Sequence, residues 1–276
     1  MNPALRGVAL AAAALALAFG TYRLVHRATA PVVPALVTRD ADAHRALSMS
    51  LGAQVDRLLH DRPPPLNRRG GNPRLLALTF DDGPYPVETP LLLDVLADLH
   101  VPATFFLIGH DTEEFPGLAV RISREGHEIA NHTQTHPADF NALSPAAVTE
   151  ELQAGATTLE RYVRDPAIRR LMRPPHGRFT EATVATAQRD GYDVILWNDD
   201  PGDWRSVPPE AIETHMENNA TAPEIVLLHS GHLNTIDALP QIVARFRAAG
   251  YQFVTVGQLM ARVPASLILH PDKLRV

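Results

Sequence analysis

After Pro73 the chain alternates two hydrophobic patterns. Short apolar runs of strand length occur at Leu75–Phe80, Thr104–Ile108, Glu128–Ala130, Leu171–Arg173, Val194–Trp197, Ile225–Leu228 and Phe253–Val256. Between most of them lie segments with helical spacing of apolar positions: Thr89–Leu99, Glu113–Arg124, Ser144–Val163, Thr180–Arg189, Pro208–Asn218 and Ile236–Ala248. Strand then helix, repeated about seven times, predicts an α/β domain with a parallel sheet, either an incomplete barrel or an open doubly wound sheet. No GxGxxG follows the first run, which argues against a dinucleotide fold.

Before Pro73 the pattern is different. Arg6 precedes GVALAAAALALAFG, an apolar run with the layout of an export signal. Retained, Leu5 to Val25 has the ~20 residues that a membrane-spanning helix needs, so a cleaved signal peptide and a membrane anchor are both open readings. Pro31, Pro34, Pro63–Pro65 and Gly70–Gly71 bracket Asp40–Leu59, where Leu47, Leu51, Val55, Leu58 and Leu59 share one helical face. The expected organisation is a signal or anchor at 1–29, a linker with an amphipathic helix at 30–72, the α/β domain at 73–262 and a C-terminal tail at 263–276. Such a chain is exported, to the periplasm, the cell surface or an inner-membrane anchorage.

Composition narrows the chemistry. The 276 residues carry no cysteine, which excludes disulfides, thiolate catalysis and Cys-ligated zinc. Net charge is −6 and no basic run follows the N-terminal segment, so no nucleic-acid partner is expected. Lys273 is the single lysine, which confines any lysine-based mechanism to the C-terminus.

The remaining polar chemistry gathers at the ends of predicted strands, where barrels carry their functional residues. Asp81-Asp82 ends the first, Asn131–His136 the third, Arg173–Gly177 the fourth, Asp199–Trp204 the fifth and His229–Gly231 the sixth. His132 and His136, one helical turn apart in spacing, can face one cation with Asp82 as third ligand. Two His and one carboxylate suit Zn²⁺ with open positions left over, and also Co²⁺, Ni²⁺ or Fe²⁺. Strand alternation and the Gly83-Pro84 turn send Asp81 and Asp82 to neighbouring sites. Asp81 is then free to act as general base, with Arg173 orienting it. His229 is the candidate acid and Asp203 its electrostatic support. Trp204 reads equally as rim packing and as pocket lining.

In order, TFDDGP, HTQTH, RPPHG, DPGDW and LLHS resemble the five motifs of the polysaccharide deacetylases, the NodB-homology group that forms carbohydrate esterase family four. The resemblance spans Leu75 to Met260 and implies a distorted, incomplete (β/α) barrel of about seven strands. It implies Asp81 as base, Asp82, His132 and His136 as metal triad, Arg173 as the arginine orienting the base, and His229 as acid paired with Asp203. It also implies Trp204 and Leu227 as walls around an acetyl methyl, and the backbone N–H of His176 as an oxyanion donor. The implied cofactor is a divalent metal, foremost Zn²⁺ with Co²⁺ or Ni²⁺ as alternatives. The implied partner is an acetylated polysaccharide or oligosaccharide, acted on by a monomer. The implied reaction removes N-acetyl from N-acetylglucosamine-type polymers such as peptidoglycan, exopolysaccharide or chitin. O-deacetylation of xylan-type polymers is the alternative, and a non-catalytic glycan-binding barrel is a reading from another class. A barrel phosphodiesterase is disfavoured because Arg173 stands almost alone as a cation for phosphate. Two positions depart from the family pattern: His176 replaces a more usual aromatic Tyr or Phe, and Ser230 an Asp. The loops Gly109–Gly117, Pro137–Ser144 and Gly231–Asp237 are expected to line the cleft.

Overall fold

The computed structural model describes residues 73–264. The signal or anchor expected at 1–29, the linker helix expected within 30–72 and all but the first two residues of the tail expected at 263–276 lie outside the described residues. The seven strands are β1 (Leu75–Asp81), β2 (Thr104–Leu107), β3 (Glu128–Asn131), β4 (Leu171–Met172), β5 (Asp193–Val194), β6 (Glu224–His229) and β7 (Gln252–Phe253). They form one parallel sheet in the order β5-β4-β3-β2-β1-β6, with β7 pairing the first residues of β1. Beyond β5 the chain swings round so that Asp199 bridges Val226 of β6. The sheet therefore curls, joined at that side by a short bridge in place of a full strand.

Among the described residues seven α-helices connect the strands, α1 (Glu88–Asp98), α2 (Gly109–Glu114), α3 (Pro116–Arg124), α4 (Pro145–Glu160), α5 (Glu181–Arg189), α6 (Pro209–Asn219) and α7 (Leu233–Ala248), and α8 (Val256–Met260) follows β7. Successive strand residues face opposite ways. On β1, Leu76, Leu78 and Phe80 join Leu92, Leu96, Leu239 and Phe246 of the helices in the larger core. Leu75 and Ala77 turn to the concave side with Phe106, Ala130, Leu171, Ile195 and Ile225. Val263 packs into that inner cluster too. A period of two thus sorts β1, β2, β3 and β6 into a helix-facing row and an inner row.

Several expected boundaries move. The single helix expected over Glu113–Arg124 is two, because Pro116 starts a new one after Phe115 leaves helical geometry (φ −126°, ψ 55°). The strand expected at Val194–Trp197 pairs with β4 only at Asp193–Val194. The one expected at Phe253–Val256 ends at Phe253, since Thr255 caps α8: its side chain accepts from the Gln258 N–H.

Candidate active site and metal centre

The inner rows end in the polar residues. Thr79 and Asp81 continue the inner row of β1, Arg173 follows Leu171 beyond β4, and Leu227 and His229 follow Ile225 on β6. Arg173 is 0% exposed, so its charge must be answered inside the protein. Its Nη1 donates to Asp81 Oδ1 at 2.6 Å and to Thr79 Oγ1 at 2.8 Å, and its Nε donates to the Ile195 carbonyl at 3.1 Å. The guanidinium lies over the Phe106 ring at 4.1 Å, with Trp197 at 5.4 Å. Asp81 is thereby locked through Oδ1, while Oδ2 points towards His132 Nε2, 3.8 Å away.

Asp82 leaves the strand at φ 68°, as does Gly83, and this left-handed turn separates the two carboxylates. Asp82 Oδ1 lies 3.5 Å from His132 Nε2 and 3.4 Å from His136 Nε2. It is buried and has no hydrogen-bond partner. Burial raises the Asp82 carboxyl, but His132 and His136 outweigh it and hold the group below the usual carboxylate range. His132 Nδ1 sits 2.9 Å from the Arg173 carbonyl; a carbonyl only accepts, so Nδ1 donates there and Nε2 is the nitrogen left facing Asp82. Burial lowers the His132 imidazole, but Asp81 and Asp82 outweigh it and raise the group. Burial, reinforced by His132, pushes His136 down to about 4, so at neutral pH it offers a lone pair. An orphaned anionic oxygen facing two imidazole nitrogens is the donor set of a divalent cation, and the three side chains fit one.

His132 and His136 do not sit on a helix. They lie in a loop after β3 with Thr133 at φ 70° and His136 at φ 53°. α4 holds this loop: Glu151 accepts the Gln134 and Thr135 N–H groups at 3.1 and 2.9 Å and the Thr135 hydroxyl at 2.8 Å. The i, i+4 spacing thus brings the rings together through a tight loop in place of a helical turn.

Opposite the triad, Asp203 is 0% exposed. Its Oδ1 is 2.8 Å from His229 Nδ1, and its Oδ2 accepts the His229 backbone N–H at 2.8 Å and the Thr235 hydroxyl at 2.7 Å. Burial works against the charged imidazole, but the Asp203 contact prevails and pushes His229 up to about 9. Protonated His229 therefore presents Nε2–H to the cavity.

That cavity, about 430 Å³, contains all three triad residues, Asp81, Leu227 and His229. Leu227 is 5% exposed and forms its wall. Trp204 stands at the rim, 50% exposed, with Arg205 stacked on its ring at 4.6 Å. His176, in a left-handed conformation (φ 55°), meets His136 edge-on at 4.5 Å. All ten side chains singled out in the sequence thus border this cavity or orient a residue that does. Trp197 and Arg178 also line it and were missed; Asp200, from the cluster Asp199–Trp204, and His232, from the loop Gly231–Asp237, line it without having been assigned a role. Trp197 was discoverable, since a period of two from Ile195 places it on the inner row. Among the loops expected to line the cleft, Gly109–Gly117 and Pro137–Ser144 contribute nothing and Gly231–Asp237 contributes only His232.

Comparison with known proteins agrees with this geometry. Residues 68–195 match the family model described as polysaccharide deacetylase. The chain is 39% identical over 194 residues to a peptidoglycan-N-acetylglucosamine deacetylase of Bacillus cereus, covering 68% of this chain and 89% of that one. The chain belongs to the polysaccharide deacetylase family. A second relative of this deacetylase-family chain is the chitooligosaccharide deacetylase of a Bradyrhizobium species, 36% identical over 200 residues with 67% and 90% covered. Among solved structures, the Bc1960 peptidoglycan N-acetylglucosamine deacetylase in complex with 4-naphthalen-1-yl-N-oxidanyl-benzamide superposes with a TM-score of 0.66. It is 32% identical, with 70% of this chain and 90% of that one covered. The curled parallel sheet with its helices is accordingly the NodB-type fold of this family.

Proposed function

We propose that this member of the family is a metal-dependent hydrolase that removes N-acetyl groups from N-acetylglucosamine-containing polysaccharide, releasing acetate. The observation that carries the reading is the orphaned Asp82 Oδ1 between two histidine nitrogens, with a locked Asp81 beside it and a cationic His229 opposite. Asp82, His132 and His136 hold the cation, Zn²⁺ foremost and Co²⁺ or Ni²⁺ as alternatives. When bound, it supplies Lewis acidity that acidifies water and polarises the acetyl carbonyl.

The rest is the work of the chain's own side chains. Arg173 occupies Asp81 Oδ1, so Oδ2 takes the proton of the attacking water. The water oxygen bonds to the acetyl carbon, and the His176 backbone N–H faces the developing oxyanion. His229 Nε2 then gives its proton to the amide nitrogen as the C–N bond breaks, leaving a free amine and acetate. Leu227 and Trp204 enclose the acetyl methyl. The same apparatus serves O-acetyl esters of xylan-type polymers, the second substrate class. A monomer exported to the cell envelope meets such polymers there.

The test uses the full-length chain with added Zn²⁺ or Co²⁺ and measures acetate released from chitooligosaccharides, peptidoglycan and acetylated xylan. Release from the first two is expected; no release from any of the three while metal is bound would overturn the reading. Asp81→Asn should keep the metal and lose about 10²- to 10⁴-fold in kcat, the usual contribution of a general base. His132→Ala and Asp82→Asn should instead lose metal, read by calorimetry.

A further inference from the structure

One hydroxyl clasps together the two turns that carry Asp82 and His229. β1 and β6 run parallel with Asp81 opposite His229, so residue 230 leaves its strand at the level where the other chain turns at Asp82. Ser230 is 1% exposed. Its backbone N–H donates to the Asp81 carbonyl at 3.1 Å. Its Oγ lies 3.1 Å from the Asp82 carbonyl and 3.2 Å from that of Asp81. A hydroxyl has one hydrogen to give. The Asp82 carbonyl is the nearer of the two and the Asp81 carbonyl already accepts the Ser230 N–H, so the O–H leans to Asp82 while still bridging both.

That carbonyl belongs to a residue in a costly conformation. Asp82 has φ 68°, a region uncommon for residues with a Cβ, which Asp enters more readily than most and which its surroundings here hold in place. The surroundings here are the Ser230 hydroxyl and, one residue on, the Ile108 N–H, which donates to the Gly83 carbonyl at 3.2 Å. The glycines beside the clasp are closely packed. A Cβ on Gly83 would come within 2.9 Å of Ser230 Oγ and 3.1 Å of the Tyr85 ring, and one on Gly231 within 2.7 Å of that same ring.

We infer that Ser230 is a positioning residue for the reaction: its hydroxyl fixes the left-handed turn that aims the Asp82 carboxylate at His132 and His136, and ties that turn to the strand end bearing His229. The inference rests on the metal-site reading above. An apolar side chain of similar size would fill the same space without holding the carbonyl, and this difference makes the role separable from packing.

The experiment compares full-length wild type with Ser230→Ala, measuring Co²⁺ affinity by calorimetry, kcat and KM on an N-acetylglucosamine tetramer, and melting temperature without metal. Ser230→Ala is expected to bind Co²⁺ about tenfold more weakly and to lose about tenfold in kcat, as one buried hydrogen bond predicts, with KM within about twofold. Wild-type affinity and kcat in the variant, even with a lowered melting temperature, would make the hydroxyl merely structural and overturn the inference. Failure of the wild type itself to bind Co²⁺ would overturn the metal-site reading and this inference with it.

Discussion

Asp203 ties three groups from two elements, and at the scale of single residues this decides the state of the proposed acid. Because His229 is raised from 6.5 to about 9, its charged form contributes stability fully present below pH 6.5 and lost as pH rises through about 9. A bound cation moves that upper limit down. Asp203→Asn should therefore shift the alkaline limb of the kcat–pH profile to lower pH and narrow the difference in melting temperature between acidic and alkaline buffer. Arg173 poses the opposite case, a buried charge whose value lies in its partner. Arg173→Ala leaves the Asp81 carboxylate buried without its guanidinium and should cost about 3–5 kcal/mol in urea unfolding. Arg173→Lys should not restore activity, because an ammonium cannot reach Asp81, Thr79 and the Ile195 carbonyl from one planar fork. Residue types and order made these roles legible in the sequence. Trp197 was less legible, because β5 ends at Val194, three residues before it, and its value comes from packing against Gly177 and beside Arg173.

Among the elements, α4 shapes the candidate metal site without contributing a ligand to it. Gly155 lets that helix approach the loop after β3: a Cβ there would sit 2.8 Å from Asn131 Oδ1 and from the Thr133 backbone carbon. Glu151, one turn earlier, accepts from Gln134 and Thr135. Gly155→Val should displace His132 and His136 and weaken Co²⁺ binding, read by calorimetry on folded protein checked by circular dichroism. Glu151→Ala should act in the same direction by about the value of the charge-assisted bonds it removes, ~1.5–3 kcal/mol. The helix itself was legible from its apolar spacing, starting one residue after Ser144, whose hydroxyl accepts the Ala147 N–H. Its service to the HTQTH loop was not, since Glu151 and Gly155 read as an ordinary solvent-facing acid and a mild helix defect. The split of α2 from α3 was visible in Pro116 in principle, because proline favours the first turn of a new helix over the interior of an old one.

For the whole molecule, the question is how a short-stranded sheet closes around its site. Asn198 answers at the closure: its Oδ1 accepts the Ile225 N–H at 2.6 Å, and its Nδ2 donates to the Pro223 carbonyl at 3.0 Å. Beside it, the Leu227 N–H donates to the Asp199 carbonyl at 2.9 Å. Asn198→Ala should lower stability by about 1–3 kcal/mol, the cost of stranding buried backbone partners, and reduce kcat, because the same segment carries Trp197 and Asp203. Urea titration beside acetate release checks both. The sequence by itself determined the α/β alternation, the polar clusters at strand ends and, through its resemblance to the family, which residues are proposed as triad, base and acid. Period-two burial and motif order are local properties that the chain displays directly. Only the tertiary structure decided which carboxylate oxygen is locked and which is orphaned, that the two histidines converge through a loop, and that Ser230 spans two turns. The locked oxygen and the Ser230 clasp bring together groups 92 and 149 positions apart in the chain, and the histidine loop takes its shape from Glu151 on the next helix; no local pattern records such meetings.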